Sequence, residues 1–242
     1  MPRARILLAA LVVALSPFSA NAATMASFDT EVGVSVSATP GQEVWAGYGY
    51  LPGPSIIIQN GDTTLTTGDD NGTDTCCFGP FPVSTTPMNL GTAALDAQAG
   101  VNSTGEVLAA GLRLSTWFFG NSGNQAEALT VDFAIEMAIA QAIDPLIGGI
   151  AGSATAVVIE QDGVEIYSES LASLIDELAL GAATFDLFTV NVNLNPGDFT
   201  QFSVAIGGAV YAAVPAPVPL PAGLLLLVSA MGALALWRRR SA

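Results

Sequence analysis

The sequence predicts an all-β fold, an antiparallel β-sandwich of jelly-roll-like type with one short helix, set between an N-terminal signal helix and a C-terminal transmembrane helix. Three observations lead there. Apolar residues alternate with small or polar ones at period two, glycine-bearing turn signals separate the alternating runs, and only one segment inside the chain has helical spacing.

Met1-Pro-Arg-Ala-Arg5 is a short basic region, and the apolar run Ile6 to Leu15 behind it is too short to span a bilayer. Ser16-Pro17 ends any helix, and Ala20-Asn21-Ala22 is a small-x-small site of the kind a signal peptidase accepts. Residues 1–22 therefore read as a cleaved secretory signal, with signal peptidase and Sec-type export as partners, and residues 23–214 as one acidic β-sandwich ectodomain.

Within that ectodomain, Val32, Val34 and Val36 alternate with Gly33, Ser35 and Ser37, which is a strand half-buried on its valine face. Trp45, Tyr48 and Tyr50 follow, spaced by glycines. Aromatic faces on a glycine-bare strand suit stacking of a sugar ring, although ordinary core packing uses the same residues.

Gly61 to Pro87 is rich in Gly, Thr, Asp and Pro without periodicity and reads as a long loop. In it, Asp69, Asn71 and Asp74 supply oxygens of the type Ca²⁺ takes. Asp69-Asp70-Asn71-Gly72 lacks the spacing and distal glutamate of an EF-hand, so a weak extracellular Ca²⁺ site competes with a plain solvated acidic turn. No other cofactor is indicated. Cys76 and Cys77 are adjacent, with Cα atoms about 3.8 Å apart, below the usual disulfide range. A vicinal bridge stiffening the loop, an intermolecular bridge and free thiols all remain open, the first being the expectation.

Arg113 stands between Leu112 and Leu114 on a strand and is expected to pair with a carboxylate. In Val131 to Ile139 the odd positions read Val, Phe, Ile, Met, Ile and the even ones Asp, Ala, Glu, Ala, a strand with Asp132 and Glu136 on its outer face. Ala156 to Glu160 and Val164 to Ser168 flank Asp162-Gly163, a hairpin signal. Leu171, Leu174, Ile175 and Leu178 recur at i, i+3, i+4 and i+7, with Ser170 as N-cap and Gly181 beyond, which predicts the one short helix. Phe185 to Leu194 and Phe199 to Tyr211 flank Asn195-Pro196-Gly197-Asp198, a type II turn with glycine at its positive-φ position.

Residues 215–242 form the tail. Pro215 to Pro221 is a stiff spacer, Ala222 to Trp237 is sixteen uncharged apolar residues, and Arg238, Arg239 and Arg240 close it. Sixteen helical residues reach about 24 Å, which Leu220, the interfacial Trp237 and snorkelling arginines extend toward bilayer thickness. Cationic residues favour the cytoplasmic side, so this end lies inside while the signal places the N-terminus outside. The two orientation signals agree.

Val218, Pro219, Leu220, Pro221 and Ala222, followed by the apolar helix and the arginine cluster, resemble the VPLPA form of the PEP-CTERM protein-sorting tail. The resemblance covers about the last 25 residues. It implies export in a Gram-negative bacterium, an exosortase-like membrane enzyme as partner, and association with exopolysaccharide. The middle residue is Leu220 where the name-giving motif has glutamate, a departure that bears on which sortase variant reads the tail. The localisation implied is an inner-membrane anchor with the ectodomain outside, or release from it to the cell surface or extracellular matrix.

Charge and composition narrow the function. The chain has six arginines, no lysine, no histidine and 21 acids, for a net charge of −15. Five arginines lie in the two end segments, so residues 23–217 hold one arginine against every acid and carry −20. Such a polyanion repels nucleic acid. Missing histidine and lysine remove His-activated nucleophiles, Schiff bases and the P-loop. The expectation is a non-enzymatic, exported surface or matrix protein. A carbohydrate-binding or adhesin module and a glycan-active enzyme using paired carboxylates are the alternatives.

Overall fold

The structure, a computed structural model, describes residues 24–39, 44–67, 77–83, 85–143, 148–175 and 179–216. Nine strands occur among them: β1 Thr24–Thr39, β2 Val44–Thr67, β3 Cys77–Pro82, β4 Met88–Asn121, β5 Glu127–Ile143, β6 Ile150–Gln161, β7 Val164–Ile175, β8 Ala179–Leu194 and β9 Phe199–Val214. Every pairing is antiparallel, in the order β7-β6-β9-β4-β1-β5-β8, with β2 alongside β4 and β3 alongside β2. The fold is therefore all-β, as the period-two pattern predicts. The sheet curls into a nearly closed, barrel-like body.

β4 makes the curl. Its first part pairs with β1 as far as Val101 and its second part pairs with β9 from Gly105 onward, leaving Asn102-Ser103-Thr104 as the corner between. The halves fold toward each other so closely that a Cβ on Gly111 would meet Leu95 Cδ1 at 3.6 Å. One wall is thus β8-β5-β1 with the start of β4; the other is the end of β4 with β9-β6-β7. The seam between β7 and β8 is bridged by side chains: the Tyr167 and Phe188 rings lie 5.1 Å apart, and Gln141 Nε2 of β5 donates to the Ser173 carbonyl of β7 at 2.7 Å.

Alternation fills the interior. Val32, Val34, Val36, Val131, Phe133, Ile135, Met137 and Ile139 are all buried, and Phe133 packs on Phe202 across the walls. Two apolar clusters result, one around Phe133, Trp117 and Phe202 and one around Phe28, Val101 and Val210. A polar layer separates them. The Thr30 and Thr155 hydroxyls bond at 2.5 Å, Thr155 Oγ1 donates to the Gly207 carbonyl, and Arg113 Nη1 donates to the Ala94 carbonyl, tying the two halves of β4 together.

Both turn expectations hold. Asp162 and Gly163 take φ of 50° and 79° in a two-residue hairpin, and Gly197 has φ 82° in the turn before β9. Two expectations are corrected. The segment expected as a helix continues β7: Ser170, Leu171, Leu174 and Ile175 pair with Ala156, Thr155, Gly152 and Ala151 of β6, and no helix occurs among the described residues. Leu171 and Ile175 are four apart, which puts them on one face of a strand as readily as of a helix; Leu174, the odd member, is 70% exposed. Leu178 lies outside the described residues. The expected loop from Gly61 to Pro87 is partly strand, since Thr63 to Thr67 pair with Val101 to Ala97 of β4 and Cys77–Pro82 forms β3. The signal segment with Ala20 and Ala22, and the tail with Val218 to Ala222 and Arg238 to Arg240, lie outside the described residues.

Candidate functional site

Strand parity decides which aromatic residues can act together. Trp45, Tyr48 and Tyr50 stand opposite Gly120, Trp117 and Ser115 on β4. Of Tyr48 and Tyr50 the structure describes the backbone alone. Trp45 lies over Gly120, and on the far side of that glycine it meets Phe199 at a ring distance of 6.1 Å. Phe199 also stacks on Phe118 at 5.9 Å with an interplanar angle of 24°.

Trp45, Phe118 and Phe199 therefore form an aromatic cluster on the outer surface, and Phe199 is exposed. Gly47, paired with Phe118, has open space where a Cβ would stand. Polar groups adjoin the rings: Gln201 is cross-strand from Phe118, and its Nε2 donates to Ser203 Oγ at 3.1 Å. A flat ring surface beside an amide and a hydroxyl can stack on one face of a sugar and hydrogen-bond its edge. Sequence reasoning missed Phe199.

The other wall carries carboxylates in register. Asp29 of β1 stands directly opposite Asp96 of β4, and Glu31 directly opposite Glu136 of β5. Small residues, Ala94, Gly33 and Ala134, surround them on that face. Half-burial raises all four carboxyls above their ordinary range. Repulsion from Asp29 adds to this at Glu31 and Asp96, and repulsion from Glu31 and Asp29 adds at Glu136, while a hydrogen bond from Thr92 opposes the rise at Glu31. Among the described residues, no group of three or more His, Cys, Asp or Glu has the geometry to hold a metal ion. The acidic loop residues Asp69, Asn71 and Asp74, and Cys76, lie outside the described residues. Of Cys77 the structure describes the backbone, which opens β3 opposite Tyr48.

A shallow groove of about 380 Å³ crosses the outer face of β4, β9, β6 and β7. Leu108, Tyr211, Gly152 and Leu174 form one cross-strand row in it, and Gly152 leaves the gap. No carboxylate lines it. Arg113, expected in an ion pair, is buried, with the Ala94 carbonyl as one acceptor.

No protein-family model matches the chain, and no curated protein matches it. Among solved structures, the chain is aligned with a β-glucosidase from Kluyveromyces marxianus at 14% identity and a TM-score of 0.13, covering 38% of this chain and 10% of that one. The secreted serine protease VesC from Vibrio cholerae aligns at 7% identity and a TM-score of 0.13, covering 72% and 47%. The enzymatically active domain of bacteriophage CBA120 tailspike protein 4 aligns at 11% identity and a TM-score of 0.15, covering 67% and 19%. The chain spans less than half the length of each.

Proposed function

We propose that this is a non-enzymatic exported protein of the cell surface or extracellular matrix, delivered by a PEP-CTERM tail of the VPLPA type and handled by an exosortase-like enzyme. The acidic ectodomain is read as a flattened, jelly-roll-like sandwich that follows the signal segment and precedes the tail. The observation that carries this reading is the order of Val218 to Ala222, an uncharged apolar stretch and Arg238 to Arg240 behind a cleavable signal. The lack of any histidine or lysine supports the non-enzymatic part, because it removes most nucleophile and acid–base chemistry. The test is fractionation of a Gram-negative producer expressing the chain and a variant with Arg238, Arg239 and Arg240 all replaced by Ala. The parent chain is expected outside the cytoplasm and at the surface, and the variant misrouted. Recovery of both from the cytosol contradicts the proposal.

A second reading, a carbohydrate-binding module, is favoured by the outward cluster of Trp45, Phe118 and Phe199 beside Gln201 and Ser203. Affinity electrophoresis through polysaccharide gels tests it: retardation abolished by Phe199→Ala supports the reading, and equal migration of parent and variant removes it.

A further inference from the structure

The strands place both ends of the described chain at one end of the barrel. Thr24 Oγ1 donates to the Gly148 carbonyl at 3.1 Å, Ala213 is paired with Ile150, and Val214 is paired with Gly105 at the β4 corner. Large apolar side chains are exposed around this same end. Ile57 and Ile58 sit on β2 within a few residues of the corner, Ile150 opens β6, Leu174 is next to last in β7, and Leu180 is second in β8. They come from four different strands, so no single strand's pattern accounts for them. Of the acids whose side chains are described, Glu106 alone lies at this end, whereas the opposite end bears Asp162, Glu165 and Asp198 on its hairpins.

The chain beyond β9 bears on what meets the rim. After Ala216 only Pro217 to Pro221 precede the apolar stretch, and five residues of proline-rich spacer reach about 16 Å at most. A tail inserted in a bilayer therefore holds this end, and not the hairpin end, against the headgroups. Water-exposed Leu and Ile side chains at that distance gain by moving into the interface, as amphipathic surfaces of peripheral proteins do. From this juxtaposition we infer that Ile57, Ile58, Ile150, Leu174 and Leu180 form a lipid-contacting rim, seating the domain on the outer surface of a phospholipid bilayer while its tail is in the membrane. The inference rests on the reading of the tail as membrane-inserted.

The test uses the full chain reconstituted in phosphatidylcholine vesicles that include a phosphatidylcholine with a photoactivatable acyl chain. After illumination and chymotryptic digestion, mass spectrometry locates the lipid adducts. The expected result is adducts on the rim peptides and on residues 222–237, with none at Val164 or Phe199, and a several-fold loss at Ile150 and Leu180 in a Leu174→Asp variant. Adducts on the tail alone, whether because the rim stays in water or because a second copy of the chain covers it, overturn the inference and leave the anchor reading standing. No adducts on the tail overturn both.

Discussion

The ring of Phe28, on β1, fills the space in which a Cβ on Gly208, on β9, would stand, with Phe28 Cε1 2.7 Å from that position. This contact joins the two walls below the polar layer. Gly208→Ala is expected to push the ring out of its packing and destabilise the domain by about 1–3 kcal/mol, as overpacking of a filled core does. Thermal unfolding checks it. Combined with Phe28→Leu, the same substitution should cost less than the sum of the two single changes, because the residues share one space.

The paired carboxylates on the opposite face make stability depend on pH. Asp29, Glu31, Asp96 and Glu136 bind their protons more tightly in the folded chain than at the ordinary values of 3.8 and 4.5. The folded state thus holds more protons than the unfolded one in the window above those values, so stability falls as pH rises through it. The melting temperature is expected to be higher near about pH 5 than near about pH 7.5. Glu31→Gln, which removes the charge between Asp29 and Glu136, should raise the neutral-pH melting temperature and flatten the slope. A melting temperature that rises from acid to neutral pH contradicts this account of the face.

In the polar layer, the donors can be assigned. Thr155 Oγ1 gives its one proton to the Gly207 carbonyl, so Thr30 supplies the proton of the Thr30–Thr155 bond. Thr30→Val leaves the Thr155 bond to Gly207 intact. Thr155→Val strands the Thr30 hydroxyl and removes the bond to the Gly207 carbonyl, and should cost more, by about 1–3 kcal/mol for the buried hydroxyl left unpaired. Equal losses in denaturant unfolding would show that the assignment is wrong.

The hairpin at Asp162 is also tied to the start of β9. Asp162 Oδ1 accepts from Gln201 N at 2.8 Å, Oδ2 accepts from Thr200 Oγ1 at 3.0 Å, and Asp162 N donates to the Gln201 carbonyl. Asp162→Ala loses both side-chain bonds and puts a less tolerant residue at positive φ, at a cost of about 1–2 kcal/mol in unfolding. Asp162→Asn, which keeps one acceptor and suits that φ, should lose less.

Legibility followed the range of the signal. β5 could be read outright, because Val131 to Ile139 alternate without a break and each buried side chain is decided within one strand. The β6–β7 and β8–β9 turns were legible for the same reason, glycine and Asp162 meeting a local φ requirement. The segment from Leu171 to Leu178 misled because a four-residue spacing serves both periods, and only pairing with β6, a partner across the hairpin, decides between them. Thr63 to Thr67 carry no apolar pattern and are strand through their ladder with β4. The outward parity of Asp29 and Glu31 was readable, but their meeting with Asp96 and Glu136 depends on register across two ladders. The Trp45–Phe199 contact joins residues far apart in sequence, and no local pattern announces it.

The central claim, export with processing at both ends, is tested most directly by the intact mass of the mature protein isolated from its producing cells. The account predicts a mass for a chain that begins at Ala23 and ends at or near the Val218 to Ala222 motif. A mass that retains residues 1–22, or the whole tail through Arg240 and Ala242, contradicts it.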